Sequence, residues 1–102
     1  MSAEPRFDEL VHAPLRLRIC GLLRAGDGID FAVLRDTLDV SDATLSKNLK
    51  LLADAGLVLV AKGASATRTD ARRVTWLSLT PQGRAVFDSH VAALRAIAGD
   101  HG

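Results

Sequence analysis

Small polar and basic side chains share the segment SDATLSKNLK, residues 41–50, with regularly spaced leucines. Leu45, Leu49 and Leu52 recur every three or four residues, which predicts one buried helix face. The other side chains then offer the chemistry of a major-groove contact: hydroxyls for base edges or phosphates, a methyl for thymine, and ammonium groups for guanine or phosphate. The alternative is an ordinary solvated helix face. The candidate DNA contacts are Ser41, Asp42, Ala43, Thr44, Ser46, Lys47 and Lys50.

A second basic cluster lies between two short apolar runs. The runs at 57–60 and 74–79 are aliphatic and β-branched, and they predict the two antiparallel strands of a hairpin. A basic hairpin can straddle a phosphate backbone or place an arginine in the minor groove. The alternative is a flexible surface hairpin with solubilising charges. The candidate DNA contacts here are Lys62, Thr67, Arg68, Arg72 and Arg73.

The distribution of charge is more informative than its total. A net charge of +1 over 102 residues does not by itself indicate a nucleic-acid partner. Residues 41–73, however, sum to +3, whereas residues 1–40 sum to −2 and residues 74–102 to zero. Positive charge is therefore concentrated where both clusters lie, as expected for a nucleic-acid-binding surface.

Four helices are predicted to position these side chains, at about residues 14–25, 31–38, 42–55 and 81–98. Asp30, Ser41 and Thr80 are suitable N-caps for the last three helices. The order helix, helix, helix, strand, strand, helix indicates a single domain spanning residues 1–102. It contains a helix-turn-helix at about 30–56, a hairpin at about 57–79 and a C-terminal helix at about 81–98.

Two segments carry a family resemblance that spans about Leu15 to Leu94. SDATLSKNLKLLADAGLV resembles the recognition-helix signature of MarR- and ArsR-type winged helix-turn-helix regulators. RRVTWLSLTPQGRAVF resembles their second wing strand and the start of the next helix. The resemblance implies a small, stand-alone winged helix-turn-helix regulator, mainly α with a β-hairpin wing and a C-terminal dimerisation helix.

The same resemblance implies a homodimer that binds a two-fold operator in double-stranded DNA. Its implied DNA contacts are Thr44, Ser46, Lys47, Lys50 and Arg68. The chain is shorter than full MarR proteins, which have additional helices. It also lacks the clustered Cys or His ligands of metal-sensing ArsR proteins, since its histidines are dispersed along the sequence.

The C-terminal predicted helix is too apolar to have one side in solvent, which predicts that part of it meets a second copy of the chain. The alternative is a helix buried deeply in its own domain. His12 and His90 could pair across such a dimer and respond to pH or a metal ion, although two histidines alone make a poor metal site, with simple interface packing as the alternative. The candidate interface residues are Val86, Phe87, His90, Val91, Leu94 and Ile97.

Cys20 lies four residues from both Arg16 and Arg24. If all three share a helix face, the two guanidinium groups would lower the pKa of the thiol and make a redox switch feasible. The alternative is a buried cysteine without reactivity.

The sequence supplies no pattern for catalysis. It has no nucleophile elbow, paired carboxylates or phosphate-binding glycine loop, so no catalytic residue, cofactor or metal is predicted. No apolar run is long enough to span a bilayer, and the single cysteine suits a reduced, cytoplasmic location. A small-molecule effector is possible, but nothing in the sequence indicates one.

The function predicted from these observations is a sequence-specific regulator of transcription that binds duplex DNA. Repression is expected because no activation domain is visible. One alternative is a winged-helix protein-interaction module without DNA binding. Another is a redox- or ligand-responsive regulator that uses Cys20 or the dimer interface.

Overall fold

Five helices and three strands make up the part of the chain that the computed structural model describes, residues 5–64 and 73–99. They are α1 (Glu9–His12), α2 (Pro14–Ala25), β1 (Ile29–Asp30), α3 (Phe31–Leu38), α4 (Asp42–Asp54), β2 (Val58–Ala64), β3 (Arg73–Leu79) and α5 (Pro81–Ile97). The predicted mainly helical fold with a hairpin wing is confirmed, and each predicted helix is present to within one residue. Among the described residues, no helix combines the length and apolar character needed to cross a membrane.

Three side-chain caps begin the helices that follow α2. Asp30, Ser41 and Thr80 each accept a hydrogen bond from a backbone amide two or three residues later, at 2.9, 3.1 and 2.9 Å. These bonds satisfy amides that have no partner within the helix. The starts of α3, α4 and α5 are therefore set by single residues that the sequence makes visible.

The sheet has three strands in the order β1-β3-β2, all antiparallel. Strands β2 and β3 form the predicted wing, with Val58 opposite Leu79. The expectation of two strands was incomplete, because Ile29 in β1 also pairs with Leu77 of β3. A strand of two residues is too short to show the alternating pattern by which strands are predicted.

The core joins α2, α3, α4 and β3. Its largest fully buried aliphatic side chains are Ile19, Leu23, Leu34, Leu45, Leu52 and Leu77. Removing these side chains from water provides the main favourable term for packing the helices against the sheet. Because α4 contributes its leucine stripe to this core, its opposite face is held towards solvent.

A junction of hydrogen bonds ties the end of α4 to both ends of the wing and to the start of α5. The Thr80 hydroxyl donates to the Gly56 carbonyl at 2.7 Å and accepts from the Gly83 amide at 2.9 Å. The Thr80 amide donates to the Leu57 carbonyl at 3.0 Å. Gly56 has a φ of +80°, the left-handed conformation that ends many helices. One threonine thus links three elements.

Gly83 lies so close to Leu57 in this junction that a β-carbon would overlap the Leu57 carbonyl oxygen. We therefore expect Gly83→Ala to lower the free energy of unfolding by roughly 3 kcal/mol, since backbone would have to move. Gly26→Ala is the matched control, because no atom lies within 4 Å of a β-carbon there. Urea denaturation of both variants measures the difference, and equal midpoints would contradict the close packing.

Candidate nucleic-acid interface

Helix α4 presents one exposed polar face, which we call the recognition face and define as Ala43, Ser46, Lys47 and Lys50. All four side chains are exposed, whereas Leu45, Leu49 and Leu52 on the opposite side are buried. These four of the sequence-predicted contacts therefore share one surface. The arrangement offers a methyl group, a hydroxyl and two ammonium groups to an approaching ligand.

Three predicted contacts near the start of α4 already have partners within the chain. The Asp42 carboxylate accepts a hydrogen bond from Arg35 of α3 at 2.8 Å. Hydrogen bonds to Asp36 and Asp42 raise the pKa of the Arg35 guanidinium, which keeps this cation charged. The Ser41 hydroxyl donates to Thr44 Oγ1 at 3.0 Å. Ser41, Asp42 and Thr44 are exposed. In the free protein their hydrogen bonds stabilise the N-terminal turn of α4.

The two lysines of the recognition face differ in their surroundings. Lys50 Nζ lies 3.1 Å from Asp54 Oδ2, one helical turn away, in an exposed ion pair. Lys47 makes no ion pair with the described residues. Exposed pairs of this type are weak and exchange easily for other partners. Both ammonium groups are therefore accessible to an anion, and Lys47 needs to break no contact to bind one.

An open cleft separates α4 from the wing. Its walls include Ser46 and Lys50 from α4 and Lys62 and Thr75 from the wing strands, with Phe31 among the residues that line it. Lys62 is exposed, as predicted. The structure thus brings Lys50 of α4 and Lys62 of the first wing strand to one cleft.

The remaining predicted wing contacts cannot be placed on this surface. Thr67, Arg68 and Arg72 lie outside the described residues, and so does the side chain of Arg73, whose backbone begins β3. Their role in binding stays a prediction.

The predicted interface residues of α5 divide into two groups. Val86 and Phe87 pack against the core of their own chain. Val91 and Leu94 are half-buried, and Ile97 is 71% exposed. Val86 and Phe87 are themselves half-buried, so apolar surface remains along α5, and its most exposed apolar side chain is Ile97 near the C-terminal end.

The placement of His90 at a dimer interface was wrong. Its ring is fully buried inside its own chain, where Nδ1 accepts a hydrogen bond from the Asp8 amide at 2.9 Å. Its Nε2 lies 3.4 Å from His12 Nδ1, and the Phe7 ring packs against both imidazoles. The two histidines therefore pair within one chain and attach the segment before α1 to α5.

The suggested redox role of Cys20 is also corrected. The thiol is buried, and burial raises its pKa to about 11, an increase to which the Asp8 charge adds and which Arg16 opposes. Arg24 points instead to α5, where Nε lies 3.0 Å from Asp88 Oδ1. A thiol this rarely ionised is a poor nucleophile. In the described residues there is also no group of three or more potential metal-binding side chains.

Sequence reasoning missed two half-buried residues beside the recognition face, Arg16 and Asn48. Arg16 Nη1 donates to Asn48 Oδ1 at 3.0 Å, and Asn48 Nδ2 donates to the Thr44 carbonyl at 2.8 Å. The spacing of Thr44 and Asn48 by one helical turn was a visible signal for the second bond. Nothing in the sequence indicated the first, which joins residues 32 positions apart.

A family model described as a winged helix DNA-binding domain matches residues 15–98 of the chain. The match covers the elements from α2 to α5 except the first residue of α2, and it includes the recognition face and the wing. No curated protein matches the sequence.

Solved structures show the same fold. The transcriptional regulator homologue protein from Pyrococcus horikoshii OT3 superposes with a TM-score of 0.81 at 22% identity, over 90% of this chain and 87% of that one. YusO from Bacillus subtilis gives 0.71 at 21% identity, over 89% of this chain and 61% of that one. ZitR from Lactococcus lactis, a zinc-responsive MarR family member, gives 0.64 at 24% identity, over 95% and 62%. The chain thus spans less than two thirds of YusO and ZitR.

The burial of His90 predicts a pH-dependent stability. Burial lowers the pKa of His90 from its ordinary value of 6.5, the nearby His12 lowers it further, and Asp8 and Glu9 oppose the shift. The unfolded chain therefore binds the proton more readily. Stability should be full above about pH 6.5 and fall as the pH drops from there towards the lowered pKa of the folded state.

Urea denaturation at a series of pH values measures this loss. His90→Gln removes the titrating ring and should flatten the dependence over the same range, even if the variant is less stable at every pH. An identical slope in the wild type and the variant would contradict the assignment to His90.

Proposed function

The chain belongs to the winged helix DNA-binding domain family, and we propose that it represses transcription as a homodimer that binds a two-fold operator. The observation that carries this proposal is the recognition face, an exposed set of small, hydroxylic and basic side chains on a helix whose other side is anchored in the core. A helix of this kind is suited to enter a major groove, which accommodates one α-helix. In the proposal, repression follows from occupancy of a promoter, which blocks access of RNA polymerase.

The proposed binding mode places α4 in the major groove and the wing over the adjacent backbone. Ala43 and Ser46 would contact base edges, and the ammonium groups of Lys47, Lys50 and Lys62 would contact phosphates. Thr67, Arg68, Arg72 and Arg73 would extend the wing contact, with Arg68 in the minor groove. Ser41, Asp42 and Thr44 would act near the helix start, where free amides favour phosphate.

The proposed dimer uses the C-terminal half of α5. Ile97 is the most exposed large apolar residue of the described chain, and with Ala93 and Ala96 it borders an apolar groove completed by Pro5 and Phe7. Val91 and Leu94, which are half-buried, would add to the contact. To bind a two-fold operator, a dimer through this surface must place two copies of α4 about 34 Å apart, the length of one DNA turn.

Regulators of this type are typically not enzymes, and we propose neither a catalytic residue nor a cofactor. A cytoplasmic location follows in the proposal from the need to reach the chromosome. No residue of the described chain indicates a small-molecule effector, so the proposal includes none.

A protein-interaction module is the second candidate, and two exposed side chains on the wing favour it. Leu59 and Trp76 lie on neighbouring strands with large parts of their side chains in solvent. Such a module would not need the basic residues of α4 and β2. Salt-dependent DNA binding separates the two functions.

Lys47→Ala tests the DNA contact. On a duplex selected by the purified protein from a random pool, we expect the slope of log affinity against log salt concentration to decrease by about one, because one phosphate-neutralising charge is lost. Arg95→Ala on α5 is the control and should leave the slope unchanged. Equal slopes for the wild type and Lys47→Ala would contradict the assigned contact. Failure to select any duplex would favour the interaction module.

Ile97→Asp tests the dimer. A carboxylate in the proposed apolar contact should raise the dimer dissociation constant at least about tenfold, as for a truncated interface anchor. Val33→Asp on α3 is the matched control, since Val33 is also exposed and apolar but lies far from α5 in the chain order. Sedimentation equilibrium measures both variants. The proposed interface is rejected if Ile97→Asp associates like the wild type.

A further inference from the structure

The guanidinium of Arg16 connects three helices near the recognition face. Arg16 lies in the first turn of α2, and its Nε donates to the Leu10 carbonyl of α1 at 2.7 Å. Its Nη1 donates to Asn48 Oδ1 of α4 at 3.0 Å. The rigid fork of a guanidinium holds these two acceptors at fixed positions relative to each other. The side chain therefore fixes α4 to α1 and α2 at once.

Asn48 is suited to pass this restraint to the start of α4. Its amide oxygen accepts from Arg16, and its amide nitrogen donates to the Thr44 carbonyl at 2.8 Å. Asparagine has the acceptor and the donor that both bonds need. Thr44 is in turn bonded to the Ser41 cap. The restraint thus reaches the first turn of α4, which in a helix-turn-helix lies nearest the base edges.

The contact lies on the flank of α4 away from the wing. Ser46 and Lys50 line the cleft on the wing side, whereas Thr44 and Asn48 project from the other side of the helix. The wing junction fixes the C-terminal end of α4, and the leucine stripe fixes its depth. The buried leucines also limit rotation about the helix axis, and Arg35 ties the helix start to α3. Arg16 adds a directed hydrogen bond on the flank opposite the wing, which narrows the rotational setting further.

Both acceptors of Arg16 are neutral oxygens, and no carboxylate of the described residues forms an ion pair with it. A nonspecific attraction between charges would not need two directed bonds. The contacts of Arg16 therefore depend on the forked geometry of the guanidinium rather than on its charge alone.

We propose that Arg16 is a positioning residue for DNA binding, which holds α4 in one rotational setting through Asn48 and thereby sharpens discrimination between the preferred duplex and other DNA. This inference rests on the proposed function. Base-edge contacts require placement to within about 0.5 Å, whereas phosphate contacts tolerate small rotations. Loss of the restraint should consequently weaken binding to the preferred duplex and spare nonspecific binding.

The experiment compares the wild type, Arg16→Lys, Asn48→Ala and the double variant. Two probes of equal length are used: the duplex that the wild type selects from a random pool, and a scrambled duplex. Arg16→Lys keeps the charge but loses the fork. We expect about tenfold weaker binding to the selected duplex, a change within twofold for the scrambled one, and an unchanged salt slope. The double variant should bind no more weakly than the weaker single variant.

Arg18→Lys, two residues further along α2 and exposed, is the matched control and should behave as the wild type. Thermal unfolding verifies that every variant is folded at the assay temperature. The side-chain amide signals of Asn48 in the free protein give an independent readout, because Arg16→Lys should shift them in the absence of DNA.

Equal weakening on both probes, a salt slope reduced by one, or additive effects in the double variant would overturn the proposal. Unshifted Asn48 amide signals would overturn it as well. A wild type that prefers no duplex would instead reject the proposed function. The Asn48 signals would then still report whether the contact exists in solution.

Discussion

A single hydroxyl, that of Thr80, fixes the geometry on which the candidate interface depends. It donates to the Gly56 carbonyl just after α4 and accepts from the Gly83 amide in the first turn of α5. The Thr80 amide donates to the carbonyl of Leu57, the residue that precedes β2. The two ends of the wing therefore lie next to each other, directly after α4. The width of the cleft between α4 and the wing follows from this closure. The close approach of Gly83 to Leu57 leaves the junction little freedom to adjust.

The core and the surface charges act on α4 from opposite sides. The leucine stripe of α4 is buried against α2, α3 and β3, which determines the face that remains outside. On that outer face the ion pair between Lys50 and Asp54 is exposed and joins residues only four positions apart. Such pairs contribute little to stability and can be replaced by phosphates at small cost. The apolar side of α4 thus anchors the helix in the core, and its polar side remains available to bind phosphates.

Local features of the fold were predictable, and long-range contacts were not. Asp30, Ser41 and Thr80 act within their own helix starts, so the sequence reveals them directly. The strand β1 exists only because β3 lies beside it, and two residues carry no pattern of their own. His90 was predicted at the dimer interface because it lies within the apolar band of its helix. Its true partners are residues near the chain start, 78 and 82 positions away.

The candidate site follows the same division. Exposure of the recognition face was predicted from the spacing of three leucines. The link from Arg16 to Asn48 was not, because it depends on how α2 crosses α4. Of the two alternatives for Cys20, the structure supports the buried cysteine, whose burial the charges of neighbouring arginines could not indicate.

Guanine methylation interference combined with hydroxyl-radical footprinting tests the central claim most directly, that a dimer places two copies of α4 in the major groove. Genomic fragments bound by the purified protein would serve as probes. The account predicts two symmetry-related sets of major-groove positions, about one helical turn apart, flanked by protected backbone where the wings lie. Interference at one unpaired half-site would contradict the dimer. Backbone protection without any major-groove interference would contradict the role of α4.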